Sequence, residues 1–210
     1  MQFTLVTDGP SDQALIPILV WCLRQAGVLA DLQPQWADFR NLLRPPVGLL
    51  NKIRTALDLF PCDLLFVHRD AEAQGWELRN EEIRRTIQIL THSGMRTPHV
   101  CVVPVRMQEA WLLFNEEAIR RAAGNPSGSV RLNLPRLQNI EDIPNPKGLL
   151  FELLRVASEL PLHRLRKMPV TRARLRITEL IDDFSPLRAL TAFRELEAQL
   201  MGVVQTRQWD

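Results

Sequence analysis

Two short apolar runs, Asp63-Leu-Leu-Phe-Val-His68 and His99-Val-Cys-Val-Val-Pro-Val105, constrain the fold of this chain more than any other feature. Neither alternates apolar with polar residues, as a sheet with one wet face would require. A near-continuous apolar run suits a strand covered on both faces of a parallel sheet. Between the two runs, Glu77 to Leu90 places Leu78, Ile83, Ile87 and Leu90 at helical spacing, and Gly94 lies past the end. Strand, helix, strand is a βαβ unit, the connection that parallel pairing needs. The N-terminus repeats the pattern. Gln2 to Thr7 reads as a strand, Asp8-Gly-Pro-Ser-Asp12 as a tight turn with Ser11 or Asp12 near an N-cap, and the apolar stretch from Ala14 as a helix. Leu32 to Trp36 adds a strand that Pro34 confines to an edge or an irregular segment, and Leu49 to Phe60 fits a helix.

No strong strand signal follows Met107. Gln108 to Ala123 is helical in pattern and stops at Gly124-Asn125-Pro126, and Gly124 to Pro146 is rich in Gly, Pro, Ser and Asn, as in a long loop. Asn145-Pro146 starts a helix running to about Leu160, and Ser185-Pro186 repeats the device for a last helix. The expected architecture is α/β: a mostly parallel, Rossmann-like sheet flanked by helices over residues 1–123, and a helical C-terminal extension over 124–210 packed on it.

With 210 residues, 46% of them hydrophobic and 24% charged, the chain can bury a core and is neither fibrous nor disordered in composition. The longest apolar run, Ala14 to Leu23, falls well short of the ~20 residues of a membrane span. The N-terminus has no basic start and apolar middle of a secretory signal, which predicts a cytoplasmic protein. Cys22, Cys62 and Cys101 are isolated in apolar surroundings and read as reduced core thiols, and the four histidines lack zinc-ligand spacing. Only three of the 26 basic residues are lysine, so the cations are mostly arginines suited to bidentate phosphate or carboxylate contacts.

In an open parallel sheet, ligands gather beyond the carboxyl ends of the strands. Acids stand at those ends here. Asp8 follows the first strand, with Asp12 about one turn on; Asp70 and Glu72 follow the Leu64–Val67 run; Glu109 follows the third strand. Residues two apart on extended backbone point the same way, so Asp70 and Glu72 could share one ion. Converging carboxylates repel unless a cation neutralises them, and oxygen ligation suits Mg²⁺ or Mn²⁺, which would activate water for phosphodiester cleavage. The plainer alternative is that Asp8 and Asp12 cap a helix while Asp70 and Glu72 solvate a loop.

The arrangement resembles a Toprim domain, in which an acid after the first strand and a D-x-D after a later strand hold magnesium in topoisomerases, primases and OLD-family nucleases. Asp8 stands for the first acid and Asp70-x-Glu72 for D-x-D, each altered by one methylene; Asp8-x-x-x-Asp12 resembles the paired acids of OLD-like nucleases. More specifically, the chain resembles the bacterial Toprim-like domain-of-unknown-function family 4276, often encoded beside an ATPase. The resemblance rests on Thr7-Asp-Gly-Pro-Ser-Asp12, His68-Arg-Asp70, Val105-Arg-Met-Gln-Glu-Ala-Trp-Leu-Leu113 and Ile143-Pro-Asn-Pro-Lys147. It implies a Toprim-like fold, Asp8, Asp12, Asp70 and Glu72 as metal ligands, and Asp8, Asp70, Glu72 and Glu109 as the catalytic set. It also implies a nuclease or related phosphoryl-transfer role in phage defence or DNA processing, with nucleic acid and a separate ATPase subunit as partners.

Arg69 and Arg106 neighbour these acids and suit a substrate phosphate or the carboxylates themselves. Lys147 lies at an expected helix start, a favourable place for an anion, or is simply exposed. Arg155 to Arg176 carries seven cations, among them Arg172, Arg174 and Arg176, against the single acid Glu159, and contains no aromatic residue. Such a run tracks a nucleic-acid backbone or forms a solvated face that docks an acidic partner. Trp111, at helical spacing from Met107 and Phe114, reads as core. His68-Arg69-Asp70 is not a kinase catalytic loop, because Gly75 stands where an asparagine is required, and no phosphate-binding G-x-x-x-x-G-K-[ST] loop is present. Two classes of function follow: a metal-dependent nuclease, or a catalytically silent Toprim-like subunit that binds a partner protein or nucleic acid through its basic helical half.

Overall fold

The computed structural model describes residues 1–72, 74–207 and 209; residues 208 and 210 of the expected C-terminal extension lie outside them. The sheet has four parallel strands, β1 (Gln2–Val6), β2 (Gln33–Trp36), β3 (Leu64–His68) and β4 (His99–Val102), in the order β2-β1-β3-β4. β1 pairs with both β2 and β3, with Phe3 opposite Pro34 on one side and Leu64 on the other. Pro34 therefore lies in an edge strand. β4 ends at Val102, three residues before the expected Val105: Pro104 has no N–H for a ladder, and Arg106 takes a left-handed backbone at φ 66°.

Helices cover both faces. On one face, Val6, Leu65, Val67 and Cys101 pack against Ile53 and Ala56 of α2 (Leu49–Leu59) and Ile83, Ile87 and Leu90 of α3 (Trp76–His92). On the other, Phe3, Leu5, Leu64, Phe66, Val100 and Val102 pack against α1 (Ile16–Gln25) and α8 (Thr191–Arg207). That second core continues without a break through α4 (Glu116–Ala122), α5 (Pro146–Ser158) and α7 (Val170–Glu179); α6 (Leu162–Leu165) is a single exposed turn. Trp111 is fully buried, edge-on to Phe193 of α8. Cys22 and Cys101 are buried too, and burial raises both thiols, Cys101 to about 11, which suits inert core cysteines.

Several boundaries differ from the sequence reading. The first helix is preceded by a 3₁₀ turn, Pro10–Leu15, whose cap is Gly9 rather than Ser11 or Asp12. The expected helix Gln108 to Ala123 is a 3₁₀ turn, Gln108–Leu112, and a separate α4 capped by Asn115. Gly124 to Pro146 contains a further 3₁₀ turn, Leu137–Asp142. α5 ends at Ser158, with Glu159 left-handed at φ 49°, and the last helix begins at Thr191 after a 3₁₀ turn at Ser185–Ala189. Among the described residues, no helix is long and apolar enough to cross a membrane.

Candidate functional site

From β1 the chain crosses to β2 on one side, and the next strand, β3, is placed on the other, so the strand order reverses between β1 and β3. A crevice opens at such a reversal beyond the strand ends. The segments leaving β1 and β3 carry Asp8, Asp12, Arg69 and Asp70 just past those strand ends.

The first group of side chains is an alternating ladder of charge. Asp8 meets Lys52 of α2 through one oxygen at 2.9 Å and Arg69 through the other at 2.6 Å. Arg69 reaches Glu82 of α3 at 2.7 Å, Glu82 accepts from Arg79 at 2.8 Å, and Arg79 stands 3.6 Å from Glu72. The Asp8 side chain is nearly half exposed, so these pairs hold its orientation more than they stabilise the fold.

The second group is buried except for Asp70, which is partly exposed. Asp12 accepts from the Gly9 N–H at 3.0 Å, the Ser11 hydroxyl at 2.8 Å and the Gln108 amide at 2.5 Å. Asp70 accepts from the backbone N–H of Gln108 at 3.0 Å. Between the two carboxylates sits His68, fully buried, its Nε2 3.4 Å from Asp70 and 3.9 Å from Asp12 and its Nδ1 2.8 Å from the carbonyl of Val102. Burial alone would lower the imidazole, but the hydrogen bond and charge of Asp70, the charge of Asp12 and the Val102 carbonyl outweigh it, and the net shift is upward. Gln108 thus joins the two acids from one residue, its side chain on Asp12 and its backbone on Asp70.

The remaining candidates fall elsewhere. Glu72 is left-handed at φ 51°, so the extended geometry that would align it with Asp70 is absent; its side chain is 61% exposed and turned toward Arg79. Its N–H donates to the carbonyl of Arg106, itself left-handed, at 2.8 Å, while the Arg106 guanidinium contacts the Glu72 carbonyl at 3.4 Å. Glu109 is buried against Arg174 of α7, and Arg174 also donates to the carbonyl of Ser11 at 2.8 Å. Neither is available to substrate, which removes Glu109 from the catalytic set and Arg174 from the basic surface. Arg172 and Arg176 are exposed on the same helix, and Lys147 is exposed in the first turn of α5.

Lys52, His68, Glu82, Arg79 and Gln108 were not singled out from sequence. His68 and Gln108 carried a signal, since each ends or follows a strand within a quoted motif. Lys52 and the α3 pair carried none, because a charge on an amphipathic helix reads as a solvated one.

The acids supply only oxygen donors, as Mg²⁺ and Mn²⁺ require. Among the described residues, no three acidic, histidine or cysteine side chains gather closely enough for an all-protein metal cage. Of Asp8, Asp12 and Asp70, the first and last reach solvent, with side chains 47% and 29% exposed, and Asp8 already meets a cation through each oxygen. Comparison with protein-family models, with curated proteins and with solved structures finds no match, so the site is read from its own chemistry.

Proposed function

We propose that the crevice is the site of a Mg²⁺- or Mn²⁺-assisted phosphoryl-transfer reaction, the hydrolysis of a nucleic-acid phosphodiester, on a Toprim-like fold. The observation that supports this reading is the position of Asp8 and Asp70 just beyond the adjacent strands β1 and β3, at the reversal of strand order, with Lys52 and Arg69 on Asp8 and with Asp12 tied to Asp70 through His68 and Gln108. A divalent ion bound there would polarise the phosphoryl group and acidify a water. Asp8 and Asp70 lend it oxygens. Lys52 and Arg69 offer N–H donors to phosphate oxygens at the same edge, and Gln108 and His68 hold Asp12 and Asp70 in place. Exposed Arg172 and Arg176 lie on α7, which packs against the Pro10–Leu15 turn, and offer positive charge to a nucleic-acid backbone. A cytoplasmic setting in phage defence, with a separate ATPase subunit, accompanies this reading.

The test is nicking of a supercoiled plasmid with Mg²⁺ and with Mn²⁺ by the wild type, Asp8→Ala and Asp70→Ala. Loss of nicking in both variants supports the site; cleavage that survives both overturns it. One observation favours the silent-subunit reading: Asp8 already has a cation on each oxygen. That reading expects DNA binding without turnover in the wild type, weakened by charge reversal at Arg172 and Arg176.

A further inference from the structure

A pocket of about 200 Å³, open at its mouth, lies between the ends of β1 and β2 and the segment leading to α2. Its lining includes Thr7, Asp8, Trp36, Phe39, Arg40 and Lys52, so it shares Asp8 and Lys52 with the crevice. The indole of Trp36 is fixed from two directions. Its Nε1 donates to the Thr7 hydroxyl at 3.1 Å, and its backbone is in register with Leu5 of β1. Phe39, also lining the pocket, is buried edge-on to Phe60 in the core of the opposite sheet face.

The Trp36 ring face carries a replaceable cover. The guanidinium of Arg40 sits 5.1 Å from the ring centroid and is itself tied to Asp38 at 2.6 and 2.8 Å. Arg40 is 63% exposed, so water screens its two-point pair with Asp38 and reaches the guanidinium. A flat planar cation over an indole occupies the place that a flat aromatic base would take. Lys52 and Arg40 line the pocket, paired with Asp8 and Asp38, and each could turn its N–H groups to a phosphate oxygen.

We propose that this pocket takes one base of a single-stranded nucleic acid, stacked on Trp36 in the place of Arg40, with the adjoining phosphate on Lys52. The assignment names the substrate class of the crevice and rests on the reading above. It makes Trp36 the residue through which single strands are preferred to duplex, because a paired base cannot enter the pocket.

The test is binding alone, in EDTA, so that it is read without metal or turnover. Fluorescence anisotropy compares a labelled twelve-nucleotide thymidine strand with an abasic strand of equal length and charge, on the wild type, Trp36→Leu and Trp36→Phe. The wild type binds the thymidine strand about tenfold more tightly than the abasic one, the scale of one base–aromatic stack. Trp36→Leu removes that preference and Trp36→Phe keeps part of it, with circular dichroism checking that both variants fold. Equal binding of the two strands by the wild type overturns the proposal, as does a preference that survives in folded Trp36→Leu. If Trp36→Leu does not fold, the wild-type comparison and Trp36→Phe decide. Failure of the metal site appears separately, in the plasmid assay.

Discussion

Arg174 and Glu109 show how a single pair can bind the two halves of this chain together. The Arg174 side chain is 1% exposed and that of Glu109 3%, and the same guanidinium holds the Ser11 carbonyl beside Asp12. Removing one partner leaves a buried charge without compensation. Glu109→Gln and Arg174→Met are each expected to cost about 3–5 kcal/mol in urea unfolding. The double variant Glu109→Leu/Arg174→Met leaves no orphaned charge and should unfold at a higher urea midpoint than either single variant. A double variant as weak as the singles would show that the pair's shape, not its charge balance, is what the core needs. In sequence both residues read as surface or site groups, because a charged residue looks exposed until its partner is known. One local clue existed: Ala173 and Ile177 are buried four residues apart, which places Arg174 at the margin of an apolar stripe.

Asn115 turns one expected helix into two elements. Its side chain accepts the Ala118 N–H at 2.9 Å, and Glu116 and Glu117 fill the first turn of α4, where negative charge is favoured. Asn115→Ala should lower the stability by about 1 kcal/mol, and Asn115→Asp should restore most of it, in parallel denaturant titrations. Equal losses for the two would mean that the cap contributes nothing. The signature Asn-Glu-Glu was legible, but the apolar residues on either side of it suggested one continuous helix. Leu78 was misread for a related reason. It lies five residues before Ile83, off the stripe that Ile83, Ile87 and Leu90 define, and it is 63% exposed while Asn80 is buried in its place. The strands were legible because burial on both faces leaves an unbroken apolar run. The left-handed turns at Glu72 and Arg106 were not, because nothing in either residue type announces a positive φ.

Across the whole molecule, the division at residue 123 in the linear reading does not coincide with a division of the core. Phe193, Leu196 and Leu200 of α8 lie in one cluster with Phe3, Phe66 and Val100 of the sheet, and α8 packs directly on β4. Trp21 of α1 meets both Phe184 and Phe193, and Trp111 meets Phe193. A fragment of residues 1–123 keeps α2 and α3 on one face of the sheet but loses α5, α7 and α8 from the other. All three of these tryptophan contacts and the Glu109 countercharge go with them. An exposed apolar face of that kind favours association over a unique fold. The fragment should therefore expand or aggregate, with strong dye binding and poorly dispersed amide resonances, whereas the full chain gives a cooperative unfolding transition. A fragment with dispersed resonances and cooperative unfolding would mean that the α/β half folds independently. Its Asp8, Asp12 and Asp70 would then be set by the strand ends alone, without the clamp that Arg174 places on Ser11.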